Sequence, residues 1–406
     1  MNLFTENSNK TNFTFGNTTS ILFTWLLALL CTQFLYGQKI KLANTHNTAT
    51  FGIRSGAGIK LSNVKKISRV TGVSLPGETL PNPNKTAEKY DVAGTDLGIM
   101  WALDKSRIGI FFGDTNGAGF VVNEKGGGNG SNWRSNVVAF SEDTNLDDGL
   151  TINNMTSDNT GKAAEICAGA KNNPGKYNTS IPTAAIRVAG VDYVHYMNIY
   201  EWAGQNGRWL TNFSSIYASS DEGKTWVRKH EVTFKPDSKF SQVCYAVKGK
   251  FIYMVGTQAG RGSAAYLARI SQKDMLNMSN YEYWNGVSKT WVKNNEESAT
   301  AIIDGPVGET SLIYHEKYKR WIIGYSYDSA YEKNPATKYH AIVYRDAKEL
   351  NGKWSDLKIL AAEDVYPGLY SPYFHPLKNI GDKLYFTMSL WKPYNVYLMS
   401  ADINLN

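Results

Sequence analysis

Two aspartates stand where paired turns bring them together, and a pair of carboxylates is the minimum equipment for cleaving a glycosidic bond. Asp96 lies in the turn 94–98, and Asp114 lies in the turn 113–117. Between these turns, the runs 99–103 and 107–112 predict the two antiparallel strands of a hairpin. Since the start of one strand and the end of its partner lie at the same end of a hairpin, we expect the two carboxylates to be neighbours.

The same aspartates also have a purely structural interpretation. An aspartate in a tight turn often closes that turn by accepting hydrogen bonds from nearby backbone N–H groups. Glycines flank both positions, and they permit tight turns as well as the close approach of a ligand. Both interpretations remain open at this stage.

The chain as a whole has the pattern of an all-β protein. Short apolar runs such as 193–200, 251–255 and 321–325 alternate with turns rich in Gly, Asn and Asp, and helical periodicity is almost absent. Residues 219–226 match S-x-D-x-G-x-T-W, the Asp-box turn of sialidase-like propellers, and weaker echoes end at Trp291, Trp354 and Trp391. Roughly 340 residues at four strands per blade predict a five-bladed β-propeller. A pair of β-sandwiches is the competing architecture.

The N-terminal segment predicts export. Residues 20–37 form the only long apolar run and end in the small residue Gly37, as in a secretory signal with its cleavage point. We therefore divide the chain into a signal peptide at 1–37, a linker or terminal strand at 38–66 and the propeller at 67–406. The predicted location is periplasmic, secreted or at the cell surface, without stable membrane insertion after cleavage. An uncleaved membrane anchor is the alternative.

Composition argues against several functional classes. The 406 residues carry a net charge of +7, but their Lys and Arg are scattered without a run, so nucleic-acid binding is not expected. The chain has no glycine-rich loop with phosphate-binding spacing and no nucleophile elbow. Because no cysteine–histidine spacing suggests zinc, we predict neither a metal nor a cofactor. Cys167 and Cys244 are expected to be buried free thiols, and the protein is expected to be a monomer.

Further site residues are expected at strand starts, because the innermost strands of a propeller converge on one mouth of its channel. The candidates for substrate binding are His195, Trp202, Arg261, Glu309, Tyr370 and His375. Glu309 is a third carboxylate in a turn of small residues. Arg261 stands between two glycines and is suited to holding a hydroxyl pair or a carboxylate. A structural role is the alternative for each of these residues taken singly.

These motifs, taken in order, resemble the family once called domain of unknown function 4185, which includes endo-D-arabinanases of glycoside hydrolase family 183. The resemblance covers about residues 67–402. The segments that carry it are Gly94–Gly98, Phe112–Thr115, Asp147–Leu150, Ile181–Thr183, His195–Met197, the Asp-box, Gly260–Arg261, Tyr266–Arg269, Pro306–Glu309 and Trp391–Asn395.

The resemblance implies both a fold and an activity. The fold is a five-bladed propeller. The activity is endo-cleavage of α-D-arabinofuranosyl linkages in D-arabinan, as found in mycobacterial-type arabinogalactan or lipoarabinomannan. The family's catalytic aspartates match Asp96 and Asp114.

Two other functions compete with this one. A non-catalytic, lectin-like propeller at the cell surface would need aromatic platforms but no aspartate pair. A sialidase-like enzyme would need three arginines converging on a carboxylate, and the scattered arginines do not indicate this. The sequence does not assign which aspartate is the acid, or whether the reaction retains or inverts configuration.

Overall fold

The computed structural model describes residues 58–171, 179–202, 204–332, 338–378 and 380–406. The predicted signal peptide at 1–37 lies outside these ranges. No helix within them is long and apolar enough to cross a membrane. Cys167 and Cys244 are buried free thiols, as predicted.

The described residues form an all-β structure, with 51% of residues in strands and 6% in helices. In chain order the strands are β1 (Ile59–Arg69), β2 (Leu97–Ala102), β3 (Ile108–Phe112), β4 (Val121–Val122), β5 (Gly128–Asn129), β6 (Val137–Ser141), β7 (Asn154–Met155), β8 (Thr179–Val188), β9 (Val191–Glu201), β10 (Leu210–Ser219), β11 (Val227–Phe234), β12 (Gln242–Lys248), β13 (Phe251–Thr257), β14 (Ser263–Ser271), β15 (Glu282–Asn285), β16 (Thr290–Lys293), β17 (Ala301–Val307), β18 (Thr310–His315), β19 (Arg320–Asp328), β20 (His340–Ala347), β21 (Lys358–Ala362), β22 (Leu369–Phe374), β23 (Lys383–Leu390) and β24 (Asn395–Leu405). The helices are α1 (Thr86–Tyr90) and 3-10 turns at Gln205–Gly207, Gln272–Asp274, Met278–Asn280, Glu296–Ser298 and Ser329–Tyr331.

These strands build the predicted five-bladed propeller. Blade 1 contains β2, β3, β6 and β7, and blade 2 contains β8 to β11. Blade 3 contains β12 to β17, with β14 pairing with both β15 and β17, and blade 4 contains β18 to β21. Blade 5 contains β22 to β24, with β1 as its outermost strand. The first strand of each of blades 1 to 4 contacts that of the next, and β22 contacts β2, which closes the ring.

The ring is closed by the pairing of the first described strand with the last. β1 runs antiparallel to β24, from the pair Ile59 and Leu405 to the pair Arg69 and Tyr397. β1 therefore begins within the segment 38–66 that the sequence pattern assigned to a linker or a terminal strand. This pairing gives blade 5 its fourth strand and ties the first described strand to the last.

The Asp-box at 219–226 forms the turn between β10 and β11. Asp221 accepts hydrogen bonds from the backbone N–H and the hydroxyl of the threonine before Trp226. Gly223 has a φ of 81°, and its carbonyl accepts the indole N–H of Trp226 at 3.0 Å. The ring of Trp226 meets Phe111 of β3 edge-on at a centroid distance of 5.1 Å. The motif is thus structural and ties blade 2 to blade 1.

A buried hydroxyl holds β1 against blade 4, and its removal tests this closure. The oxygen of Tyr344, in β20, accepts the backbone N–H of Leu61 at 2.9 Å. Tyr344→Phe should lower the free energy of unfolding by about 1–3 kcal/mol, because it leaves a buried N–H without a partner. Tyr200→Phe, at an exposed tyrosine, is the control and should change little. Equal denaturation midpoints for the two variants would contradict this role.

Candidate functional site

The two aspartates lie at one end of the hairpin formed by β2 and β3, as predicted. Leu97 pairs with Phe112, and the backbone N–H of Gly113 donates to the carbonyl of Asp96 at 3.1 Å. Each aspartate therefore stands one or two residues beyond the last paired position of its strand. The pairing places both at the same mouth of the channel, where the innermost strands begin.

The two carboxyl oxygens of Asp96 have different surroundings. Its Oδ2 accepts the hydroxyl of Tyr370 at 3.0 Å. Its Oδ1 is buried without a hydrogen-bond partner among the described residues. A Cβ added to Gly113 would lie 2.3 Å from Oδ1, so only glycine leaves room for this carboxylate. Burial, followed by the negative charge of Asp114, raises the pKa of Asp96 to about 8.

The side chain of Asp114 accepts hydrogen bonds from two side chains, whereas that of Asp96 accepts one. Its Oδ1 accepts the hydroxyl of Thr179 at 2.7 Å and the indole N–H of Trp133 at 3.0 Å. Burial raises the pKa of Asp114, while these donors and the charge of Lys171 lower it, and it settles at about 6. Near pH 7, Asp96 is therefore mostly neutral and Asp114 mostly ionised. Two carboxyl groups with separated pKa values are suited to one acid role and one base role.

Both carboxyl groups line a cavity of about 690 Å³ at this mouth of the channel. Four of the predicted binding residues line the same cavity: Trp202, Arg261, Glu309 and Tyr370. The structure thus brings together six of the eight residues that the sequence pattern proposed. The volume lies within the range of cavities that bind small molecules and short oligomers.

An ion pair spans the side of the cavity formed by blades 3 and 4. The guanidinium of Arg261 donates to Glu309 at 2.7 Å. It also lies over the rings of Tyr370 and Trp209, at 5.3 and 5.7 Å from their centroids. Burial raises the pKa of Glu309, but the charge and hydrogen bonds of Arg261 outweigh burial and leave the pKa below its ordinary value. Glu309 is therefore an ionised, compensated carboxylate, unlike Asp96.

Among the described residues that line the cavity, Arg261 is the only arginine. A cluster of three arginines, as a sialidase-like site requires, is therefore not formed by the residues described there. In the described ranges, no group of three or more His, Cys, Asp or Glu side chains could hold a metal ion.

His195 does not line the cavity, which corrects the expectation from the sequence. It is fully buried in β9, where its ring packs against Phe234, and Nδ1 lies 3.1 Å from the hydroxyl of Tyr245. Nε2 lies 3.3 Å from the carbonyl of Ser241. Burial lowers the pKa of His195 to about 4, so it is a neutral core residue between blades 2 and 3.

His375 also lies away from the cavity. It follows the last residue of β22, whereas Tyr370 lies near the start of that strand, and five residues of strand span about 17 Å. Its Nδ1 accepts the backbone N–H of Leu377 at 3.2 Å, and burial lowers its pKa to about 4. The strand thus carries Tyr370 to the cavity and His375 towards the opposite end of the channel.

Several residues around the cavity were not predicted. Thr179 and Trp133 hold Asp114, and Lys171 lines the cavity beside it. His340 and Glu363 form a second pair on the cavity wall, with Nδ1 and Oε2 3.1 Å apart. Thr179 begins an innermost strand, so the rule that selected Glu309 would have found it. The others lie in loops or outer strands without a recognisable motif.

The comparisons with known proteins agree with this arrangement at the level of family and fold. The chain belongs to the family described as Domain of unknown function (DUF4185), whose profile matches residues 81–400. Notoamide biosynthesis cluster protein J of an Aspergillus species is 24% identical over 363 residues, which cover 85% of this chain and 90% of that protein.

Two solved structures are among those similar to this chain. A suspected hydrolase from Bacteroides ovatus has a TM-score of 0.51 at 13% identity, over 77% of this chain and 86% of its own. An exo-β-1,3-galactanase from Phanerochaete chrysosporium has a TM-score of 0.45 at 11% identity, over 84% of this chain and 64% of its own.

The raised pKa of Asp96 predicts how stability depends on pH. A carboxyl group whose pKa rises from 3.8 to about 8 on folding binds its proton more tightly in the folded state. Its contribution to the free energy of unfolding is complete below pH 3.8 and is lost as the pH rises to about 8. The asparagine in Asp96→Asn cannot ionise. The melting temperature of this variant, relative to that of the wild type, should therefore rise between pH 4 and pH 9. A difference that stays constant with pH would contradict the raised pKa.

The matched control for this experiment is Asp356→Asn. Asp356 is exposed and lies outside the cavity. Because substitutions at exposed positions outside a site change stability little, the melting temperature of this variant should stay close to that of the wild type throughout the interval.

Proposed function

We propose that this DUF4185 protein is a glycoside hydrolase, exported from the cell, that cleaves internal α-D-arabinofuranosyl linkages of D-arabinan. The observation that carries the hydrolase proposal is the pair Asp96 and Asp114, in one cavity, with pKa values on either side of neutrality. The choice of D-arabinan, as in arabinogalactan or lipoarabinomannan, rests on the resemblance of the segments around these aspartates to endo-D-arabinanases. Export rests on the apolar run 20–37.

Asp96 is the general acid in this proposal. It is mostly protonated at neutral pH, and because Oδ1 is sealed over Gly113, proton transfer takes place at Oδ2. The proton passes to the glycosidic oxygen as the bond from that oxygen to the anomeric carbon breaks. The hydroxyl of Tyr370 already donates to Oδ2, so it stabilises the carboxylate that forms.

Asp114 is the ionised carboxylate that acts as base or nucleophile in this proposal. Ionised above about pH 6, it either takes a proton from the attacking water or attacks the anomeric carbon itself. The first route inverts the configuration of the sugar. In the second, the sugar becomes bonded to Asp114, and water that gives its proton to the deprotonated Asp96 then breaks this bond, so the configuration is retained. In both, a carboxylate stabilises the oxocarbenium-like transition state. Thr179 and Trp133 both donate to Oδ1 of Asp114. Neither of them therefore donates to Oδ2.

Replacement of either aspartate tests this assignment. Asp96→Asn and Asp114→Asn keep the shape of the side chain but remove the transferable proton or the negative charge. Each should lower kcat on D-arabinan by at least about a hundredfold, the scale of general acid–base catalysis. Asp356→Asn is the matched control and should retain wild-type turnover.

Two outcomes would contradict the proposal. One is near-normal turnover in either site variant. The other is a loss of turnover that follows a loss of folded protein, measured by melting temperature, which would return both aspartates to a turn-closing role. Binding of arabinan by the wild type without release of product, unchanged in both variants, would instead support the lectin-like function.

The hydrogen bond from Tyr370 predicts a shift in the pH profile. Wild-type activity should rise near pH 6, as Asp114 loses its proton, and fall near pH 8, as Asp96 loses its proton. The Tyr370 hydroxyl favours the ionised form of Asp96 and so lowers its pKa. Tyr370→Phe should therefore move the alkaline limb to higher pH and reduce kcat. Tyr344→Phe removes a buried hydroxyl outside the cavity and should leave both limbs in place. An unshifted alkaline limb in Tyr370→Phe would contradict this role.

A further inference from the structure

Two exposed tryptophans line the cavity. The side chain of Trp391 is 47% exposed and that of Trp202 is 40% exposed. They are the two most exposed tryptophans among the described residues, whereas Trp101, Trp321 and Trp354 are each at most 7% exposed. Large exposed aromatic rings gathered at one cavity indicate a binding surface rather than incidental exposure.

Trp391 is exposed but rigidly held. Its indole N–H donates to the carbonyl of Lys125 at 2.9 Å. A Cβ added to Gly126 would lie 2.0 Å from the indole, so the chain approaches the ring closely. The rings of Tyr394 and Tyr370 stand nearly perpendicular to the indole, at centroid distances of 5.6 and 6.3 Å. The ring is thus fixed before any ligand arrives, which reduces the entropic cost of binding.

The ring of Trp202 is also supported by a neighbouring side chain. Its ring packs edge-on against Trp209 at a centroid distance of 5.0 Å. The guanidinium of Arg261, which is paired with Glu309, lies over Trp209 in turn. This second ring therefore rests on a supported aromatic neighbour rather than on a free loop.

The aspartate pair lies between these two rings in the order of the blades. Trp391 is in the turn between β23 and β24 of blade 5, and Trp202 follows β9 in blade 2. Both aspartates belong to blade 1, which stands between blades 5 and 2 in the ring. Asp96 is bonded to Tyr370 of blade 5, and Asp114 is bonded to Thr179 of blade 2.

We infer that Trp391, with Tyr394, and Trp202, with Trp209, form two sugar-binding platforms on opposite sides of the aspartate pair. The face of a sugar ring that carries C–H groups is apolar and slightly positive, and it complements the negative face of an aromatic ring. A furanoside chain stacked on both platforms would cross the carboxylates with sugar units on each side. This inference rests on the proposed function and adds how the substrate chain is held for internal cleavage.

The test uses a reducing-end-labelled α-1,5-linked D-arabinofuranosyl octasaccharide and the full chain carrying Trp391→Ala or Trp202→Ala. Each variant should raise KM by roughly tenfold, the scale of a lost aromatic contact. The preferred cleavage position should also move, in opposite directions for the two variants, because each removes the anchor on one side. Lost folding alone would not produce opposite shifts.

Trp291→Ala is the matched control. Trp291 lies in β16 of blade 3, packed on Trp284, and does not line the cavity. Its KM and cleavage position should equal those of the wild type. If the wild type cleaves the octasaccharide but both platform variants keep its KM and cleavage position, the platforms are wrong and the hydrolase proposal stands.

If the wild type does not cleave the octasaccharide, the hydrolase proposal fails. Affinity electrophoresis in gels containing arabinogalactan then tests separately whether the platforms bind the polysaccharide. Retarded migration of the wild type that disappears in both platform variants, but not in Trp291→Ala, would support them. Equal migration of all four proteins would overturn them.

Discussion

The innermost strands of the five blades begin at the same mouth of the channel, and the site depends on this constraint. Tyr370, Glu309, Thr179 and Asp96 are far apart in the chain, yet each lies at or beside the start of an innermost strand. The ring that holds these starts together is closed by the pairing of β1 with β24. Closure of the ring therefore keeps the starts of the innermost strands, and with them the cavity residues, next to one another.

Burial and charge compensation together distinguish Asp96, Asp114 and Glu309, three of the carboxylates that line the cavity. Glu309 faces a guanidinium and remains ionised. Asp114 has two neutral donors and a lysine nearby, so its pKa is raised only to about 6. Asp96 has one donor, a sealed oxygen and a negative neighbour, so it retains its proton to about pH 8. Burial, together with these different partners, thus gives chemically similar groups different pKa values.

Local patterns predicted the features that depend on neighbours in the chain. The hairpin that joins Asp96 to Asp114 and the Asp-box turn follow from turn residues and strand periodicity, and the structure has both. Distant packing could not be predicted in the same way. His195 alternates correctly for a strand, but only the docking of blade 3 decides that it is buried. Trp391 ends a weak echo of the Asp-box, and it lies in a turn at the cavity. Its contact with Gly126 could not be predicted, because the two residues are far apart in the sequence.

We propose that this cavity hydrolyses internal linkages of D-arabinan. The most direct measurement is the size distribution of the products when the purified wild-type protein is incubated with arabinogalactan at pH 7. The proposed chemistry predicts new reducing ends and oligosaccharides of mixed length from the earliest times. Polysaccharide of unchanged length, with no new reducing ends, would contradict it.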